Sequence, residues 1–447
     1  MARRIILFLS DYKEDAREKS YRCPVGENVA GVQTNEAPVK YLLRQYDNVK
    51  EIICIVTPRA RATAWELFRD RIAGEYPGIE LTEIPYEEGQ DFAGAPLAGI
   101  MERVRAGDEV LLETTGGFRN AVMDLLLLSR VLSYTGVKTI GAVYSSLQKA
   151  EVEDLSRLIG SFELVAGMQE LTSFGSAKTL RAYYGQTEDA RICGLLTAME
   201  DLYETISLCR TKQIDGCMRA FNQALTAAER CSDPMMRQLL PAFRAKFGQE
   251  LTTLSLIEWC VHSGMLQQAV TIYTERIPAY IIQCGYLLRV TEFAWAPKVQ
   301  EYEDAAAAQF VRGFLTLSKK YRPRGMTEPP RAPSDSSPMV YVDTIRHLEG
   351  MHRLGQWNRY GNFFGYQLLC PVSQMQQVCR DYLYVKTVRN MMNHANDAAT
   401  QDQKELSEYL VGCGYVPLES VSARDLRQVI LRGVQDLKPR EGKEQVH

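Results

Sequence analysis

The first 150 residues of this 447-residue chain alternate between two hydrophobic periods, and nothing else in the sequence limits the fold as much. Apolar runs rich in Ile, Val and Leu occur at Ile5–Leu9, Glu51–Val56, Ile79–Ile84, Glu109–Leu112 and Lys138–Tyr144. Segments of helical period lie between them, at Ala37–Tyr46, Arg61–Ile72, Leu97–Val104 and Phe118–Tyr134. Continuous apolar strands joined by crossover helices form a parallel sheet covered on both faces. The sequence therefore predicts an α/β, Rossmann-like N-terminal domain over residues 1–150 with right-handed crossovers.

Beyond Ala150 the strand pattern fades. Amphipathic helices follow, among them Ala190–Leu208, Cys217–Ala228 and Met235–Phe247. This reading gives a helical connector over 151–190 and an all-α C-terminal domain over 191–447. Tyr321–Pro338 carries five prolines among Arg, Ser and Asp, so it is read as a mobile loop within that domain. Helices are expected to resume near Val342 and run to Gln435.

Composition sets limits on partners. Fifty-two Lys and Arg against 55 Asp and Glu leave a net charge of −3, so any polyanion must be held by a local site. The apolar run near Met1 stops at Asp11, too short for a signal peptide, and no later stretch is long enough to span a membrane. The eleven cysteines show no C-x-x-C pair, and the five histidines show no metal-ligand spacing. A cytoplasmic protein with reduced cysteines, no membrane partner and no metal is the expectation.

Parallel sheets bind ligands at the carboxyl ends of their strands. Those ends hold Ser10, Thr57, the stretch Thr114-Thr115-Gly116-Gly117-Phe118-Arg119-Asn120, and Ser145-Ser146. The glycine pair lets backbone amides approach a ligand, a helix start adds unpaired N–H groups, Thr115 offers a hydroxyl and Arg119 a cation. A tight strand–helix turn with an N-cap threonine explains the same residues, and spacing does not choose between the two. Asn35 is most simply the N-cap of the first crossover helix.

Histidine is the usual acid–base group near neutral pH. Arg440 and His447 lie in a charged tail, and Arg346 and His352 lie among glycines. Arg389-Asn390-Met-Met-Asn393-His394 instead closes an amphipathic helix that Ser373 would cap, with Val378, Tyr382, Val385 and Met392 as its apolar stripe. Asn390 and His394 share one face, so the amide can orient the imidazole. Arg389 and His394 lie about 140° apart around the axis, so two copies must meet across a twofold axis to bring both onto one phosphate. Such a cleft suits metal-free RNA cleavage: histidine moves protons and arginine stabilises charge on the phosphate.

Together, Thr114–Asn120, Gln33-Thr-Asn-Glu-Ala37 and Arg389–His394 resemble the CARF–HEPN ribonucleases of type III CRISPR systems, and domain order and length match over essentially the whole chain. The resemblance implies a dimeric sensor domain that binds cyclic oligoadenylate as allosteric activator. It also implies a HEPN dimer that cuts single-stranded RNA without a cofactor or metal. By position, Arg389 and His394 would be catalytic and Asn390 supportive. Gly116, Gly117, Arg119 and Asn120, with Ser10 and Thr57, would line the ring pocket, and Thr115 or Ser10 would take part in any slow cleavage of the ring. The rival reading is a non-catalytic nucleotide sensor that binds nucleic acid or protein, although the C-terminal region offers no basic recognition helix.

Overall fold

The structure, a computed structural model, describes residues 2–12, 17–117, 120–185, 187–285, 287–294, 354–357, 363–394 and 401–438. It divides into two compact units, Met1–Val165 and Ala166–His447.

The first unit is a doubly wound sheet. Its elements run β1 (Arg3–Phe8), β2 (Lys19–Tyr21), β3 (Val29–Gly31), α1 (Glu36–Gln45), β4 (Val49–Val56), α2 (Pro58–Ala60), α3 (Glu66–Glu75), β5 (Glu80–Pro85), α4 (Ala95–Met101), β6 (Glu109–Glu113), α5 (Ala121–Tyr134), β7 (Lys138–Ser146) and β8 (Glu151–Asp154). Spatial order in the main sheet is β5-β4-β1-β6-β7-β8, parallel except for the last pair. Each long strand buries residues on both faces, as its continuous apolar run requires. Ile5, Leu7, Ile52, Cys54, Leu111 and Val143 face one cluster. Ile6, Ile53, Leu112 and Ala142 face the other.

Three short strands depart from the expectation. β2 and β3 form an antiparallel hairpin, and β8 pairs with β7. Residues 151–154 thus belong to the first sheet, and the helical stretch expected from 151 begins with α6 (Ser156–Phe174). Four residues show no period, and β8 is fixed by its partner instead.

The second unit continues with α7 (Lys178–Tyr183), α8 (Ala190–Ser207), α9 (Ile214–Ala228), α10 (Pro234–Ala245), α11 (Thr253–His262) and α12 (Leu266–Cys284). After these come β9 (Leu288–Ala294), β10 (Leu354–Trp357), β11 (Phe363–Leu368), α13 (Val372–His394), α14 (Gln401–Gly412) and α15 (Ala423–Leu437). Helices α11, α12, α13 and α15 pack together. The unit is mainly helical with one addition: β10, β11 and β9 form an antiparallel sheet in that order. Helix was expected over the stretch holding β10 and β11, and pairing with β9, distant in sequence, overrides local preference there. The Pro-rich segment 321–338 lies outside the described residues.

Among the described residues no helix is long and apolar enough to cross a membrane. No group of three or more His, Cys, Asp or Glu side chains there could hold a metal. None of the eleven cysteines is in a disulfide among the described residues, and Cys54, Cys231, Cys260 and Cys379 are buried.

Candidate ligand and catalytic sites

The chain winds from β1 through β4 to β5, then returns to β6 and β7 on the other side of β1. The switch in strand order therefore falls between β1 and β6, the place where doubly wound sheets open a ligand crevice. Ser10 lies just past the end of β1, and Thr115, Gly116 and Gly117 lie just past the end of β6. The structure brings these four together.

Both glycines are required by packing. A Cβ on Gly116 would overlap the Phe8 carbonyl oxygen and the Asn35 side-chain amide. Gly117 has φ +86°, and its Cβ would meet Ala121 Cβ at 2.7 Å and Phe8 Cβ at 2.9 Å. The loop thus lies flat against the β1 tip, and side-chain-free backbone follows from that contact. Asn120 precedes α5 without capping it through its side chain. The helix begins at Ala121, three residues later than Phe118. Arg119 lies outside the described residues.

Thr57 has a local role. Its Oγ1 accepts from the Ala60 N–H at 3.1 Å and caps α2, and next to it Arg59 pairs with Asp11 at 2.7 Å.

Beneath the loop lies a buried polar cluster that periodicity does not reveal. Asn35 stands at the N-cap position of α1 as expected, but its side chain makes no cap bond. Its Oδ1 accepts from the Ser10 N–H at 2.8 Å and from Gln33 Nε2 at 2.9 Å, and its Nδ2 donates to the Phe8 carbonyl at 3.0 Å and to Glu113 Oε2. Glu113 Oε1 accepts from the Thr115 N–H at 2.7 Å. Thr115 Oγ1 accepts from the Ser145 N–H at 2.7 Å. Burial pushes the Glu113 carboxyl up to about 7, against the pull of the bonds from Thr115 and Asn35. The one hint in the sequence is a charge closing the apolar run Val110–Leu112, which reads equally well as the strand's solvent end.

In the second unit, α13 buries Val378, Tyr382 and Val385 as its stripe predicts. Met392 departs from it, being 48% exposed. The helix starts at Val372, so Ser373 lies inside it and does not cap it. Tyr382 donates to the Thr274 carbonyl of α12 at 2.8 Å, and Asp381 accepts from Tyr415 at 2.6 Å and from Arg432 of α15 at 2.5 Å.

This packing fixes the end of the helix that carries the motif. Arg389 is half-buried and its Nη1 bonds Glu275 Oε1 of α12 at 2.8 Å, while its buried Nε has no hydrogen-bond partner. Asn390 is exposed, and His394 is the helix's last residue, placed by the backbone on the face of Asn390. A fixed guanidinium on one flank and an exposed amide on the other can address a phosphate supplied from outside the helix.

These features define a class of architecture: a doubly wound α/β unit with a polar cluster at its strand-order switch point, followed by a mainly helical unit. No protein-family model and no curated protein matches the chain. Among solved structures it is similar to Enterococcus italicus Csm6 bound to cyclic hexa-2'-fluoro-hexa-dAMP, at 11% identity and a TM-score of 0.36, over 98% of this chain and 96% of that one. The superposition is loose, and the functional reading rests on this chain's own residues.

Proposed function

We propose that this chain is a cyclic oligoadenylate-activated, metal-independent endoribonuclease that cuts single-stranded RNA as a homodimer, an ancillary nuclease of type III CRISPR defence. What carries the reading is the presence, in one chain, of the Ser10 and Thr115–Gly117 backbone at a strand-order switch point and of Arg389, Asn390 and His394 at the end of a well-anchored helix. Gly116 and Gly117 take the ring phosphates through their amides and Ser10 through its hydroxyl, with Asn120 and the cation Arg119 beside them, Thr57 at the rim, and Thr115 holding the loop through its own bonds to Glu113 and Ser145.

His394 transfers the proton between the 2′-oxygen, the leaving 5′-oxygen and solvent, and Arg389 stabilises the charge on the phosphate. An apolar face suits self-association. Met123, Leu127 and Tyr134 of α5 and Leu158, Phe162 and Val165 of α6 are exposed, and Arg130 links the two helices through Glu163 at 2.5 Å. An even-membered ring has the twofold symmetry of such a dimer.

The test is cleavage of labelled RNA without divalent metal, in the presence of cyclic tetra- or hexaadenylate. Cutting is expected only with a ring, and Arg389→Ala or His394→Ala removes it while leaving ring binding intact. One observation favours a non-catalytic sensor instead: the Arg389–Glu275 ion pair already engages the guanidinium. That reading predicts ring binding without cutting.

A further inference from the structure

Glu113 occupies a place that apolar side chains otherwise fill. Leu7 pairs with Cys54 on one side and with Glu113 on the other, so the three side chains stand in one row on the sheet face that α1 covers. Glu113 is fully buried, and no Lys, Arg or His among the described residues forms an ion pair with it. A lone buried carboxylate is costly, so its retention needs a reason.

Its surroundings consist of fixed donors. Asn35 cannot turn its amide over, because Oδ1 accepts a backbone N–H from Ser10 and Nδ2 donates to the Phe8 carbonyl. Asn35 Nδ2 is therefore held as donor to Glu113 Oε2, and the Thr115 N–H is donor to Oε1. Both carboxyl oxygens face hydrogen atoms. The remaining groups around it are Ser145 at the β7 tip, bonded to Thr115, and Cys54 of β4, the titratable group in the same row. The neighbouring Glu36 points elsewhere, to Lys40 and Arg71.

We propose that Glu113 is a positioning residue of the ligand site: its carboxylate ties Thr115 to the β1 tip through Asn35 and so holds the Gly116 and Gly117 amides and the Ser10 hydroxyl that take the ring phosphates. This rests on the ring-binding reading above. Protonation puts a hydrogen where a donor already points and loosens the loop. Burial brings that titration near neutrality, within the range where phosphodiesters stay ionised. Charge repulsion between the carboxylate and the ring works in the opposite sense, so the sign of the pH dependence decides between the two effects.

The experiment has two measurements on the full chain. Affinity for cyclic tetra- and hexaadenylate between pH 8 and pH 6 is expected to fall by about tenfold on acidification, the ratio that follows loss of a bond to a charged group. Glu113→Gln, which sets an amide donor against a fixed donor, should bind weakly at every pH and lose the slope. Cys54→Ala should keep it. Affinity that rises on acidification, or a Glu113→Gln profile equal to the wild type's, overturns the proposal and leaves ring binding standing. The second measurement uses no ligand: hydrogen exchange at Thr115–Gly117, corrected for intrinsic rates, should lose protection on acidification in the wild type and not in Glu113→Gln. If no ring binds at any pH, the ring reading fails, and loop protection independent of pH overturns the clamp itself.

Discussion

The sheet tips of the first unit and the helical core of the second both bury polar side chains, and they satisfy them differently. At the tips, Gln33, Asn35, Glu113 and Ser145 reach backbone groups of neighbouring strands and loops. In the helical unit, Tyr273 Oη and Arg276 Nε on α12 and Arg389 Nε on α13 are buried without hydrogen-bond partners. Thr139 Oγ1 is the other such atom among the described residues, at the far end of β7 from Ser145. Strand ends leave amides and carbonyls at fixed spacing for side chains to use, whereas helix interiors spend theirs internally. Precise polar geometry therefore comes readily at the tips of the sheet, and in the helical unit it depends on scarce side-chain partners.

The largest expected effect lies on the helical side of this contrast. His394→Ala should lower ring-activated RNA cleavage by roughly 10²–10⁴-fold, the usual contribution of a positioned acid–base group. Binding of the ring, followed by calorimetry, should stay the same. Equal cleavage by the variant would assign α13 a purely structural end. Next comes the opposite side: Gly116→Ala forces a methyl onto the Phe8 carbonyl, and a cost of about 3 kcal/mol or more is expected in urea unfolding of the first unit. Gly194→Ala, inside α8 with open space around it, should be stabilising by about 1 kcal/mol and serves as the reference.

The parallel sheet was legible because its central strands are apolar on both faces, so Ile5–Leu9 or Glu51–Val56 has few other places to go. Its polar floor was not legible. Asn35 before a helix has the form of a cap and Glu113 after Val110–Leu112 has the form of an exposed end; the register of β1 against β6 sets Glu113 beside Leu7, and the bonds from Asn35 to Phe8, Ser10 and Glu113 turn the amide inward. In the helical unit the stripe through Val378, Tyr382 and Val385 was visible, while the β9–β11 sheet was not, since β9 ends at Ala294 and its partner β11 begins only at Phe363. Local pattern finds elements, and non-local pairing decides which polar residues end up inside.

Glu113 also separates stability from binding. Its folded value of about 7 lies above the ordinary 4.5, so the native state binds more protons than the unfolded chain between those limits. The stability associated with this group is complete below about pH 4.5 and lost as pH rises through about 7. By linkage it amounts to about 3 kcal/mol at most. The wild type minus Glu113→Gln difference in unfolding free energy should therefore fall from pH 5.5 to pH 8, while ring affinity rises over the upper part of that range. Parallel movement of the two quantities would mean that Glu113 acts on ring binding only through folding.

The smallest effects test the unsatisfied side directly. Tyr273 and Tyr382 are fully buried, with ring centroids 6.3 Å apart at the α12–α13 contact. Tyr382 donates to the Thr274 carbonyl, whereas Tyr273 Oη points at the backbone beside Gly433, where no acceptor meets it. Desolvating a hydroxyl without a partner costs about 1–3 kcal/mol, and removing it recovers part of that. Tyr273→Phe is thus expected to raise stability by about 1 kcal/mol and Tyr382→Phe to lower it by about 1 kcal/mol, read as opposite shifts in urea midpoint at constant slope. The two substitutions delete the same atom type from the same layer, so packing changes cancel to first order and hydrogen bonding carries the sign. If both destabilise equally, Tyr273 has a partner in solution, and the contrast between strand tips and helical core shrinks to the guanidinium groups of Arg276 and Arg389.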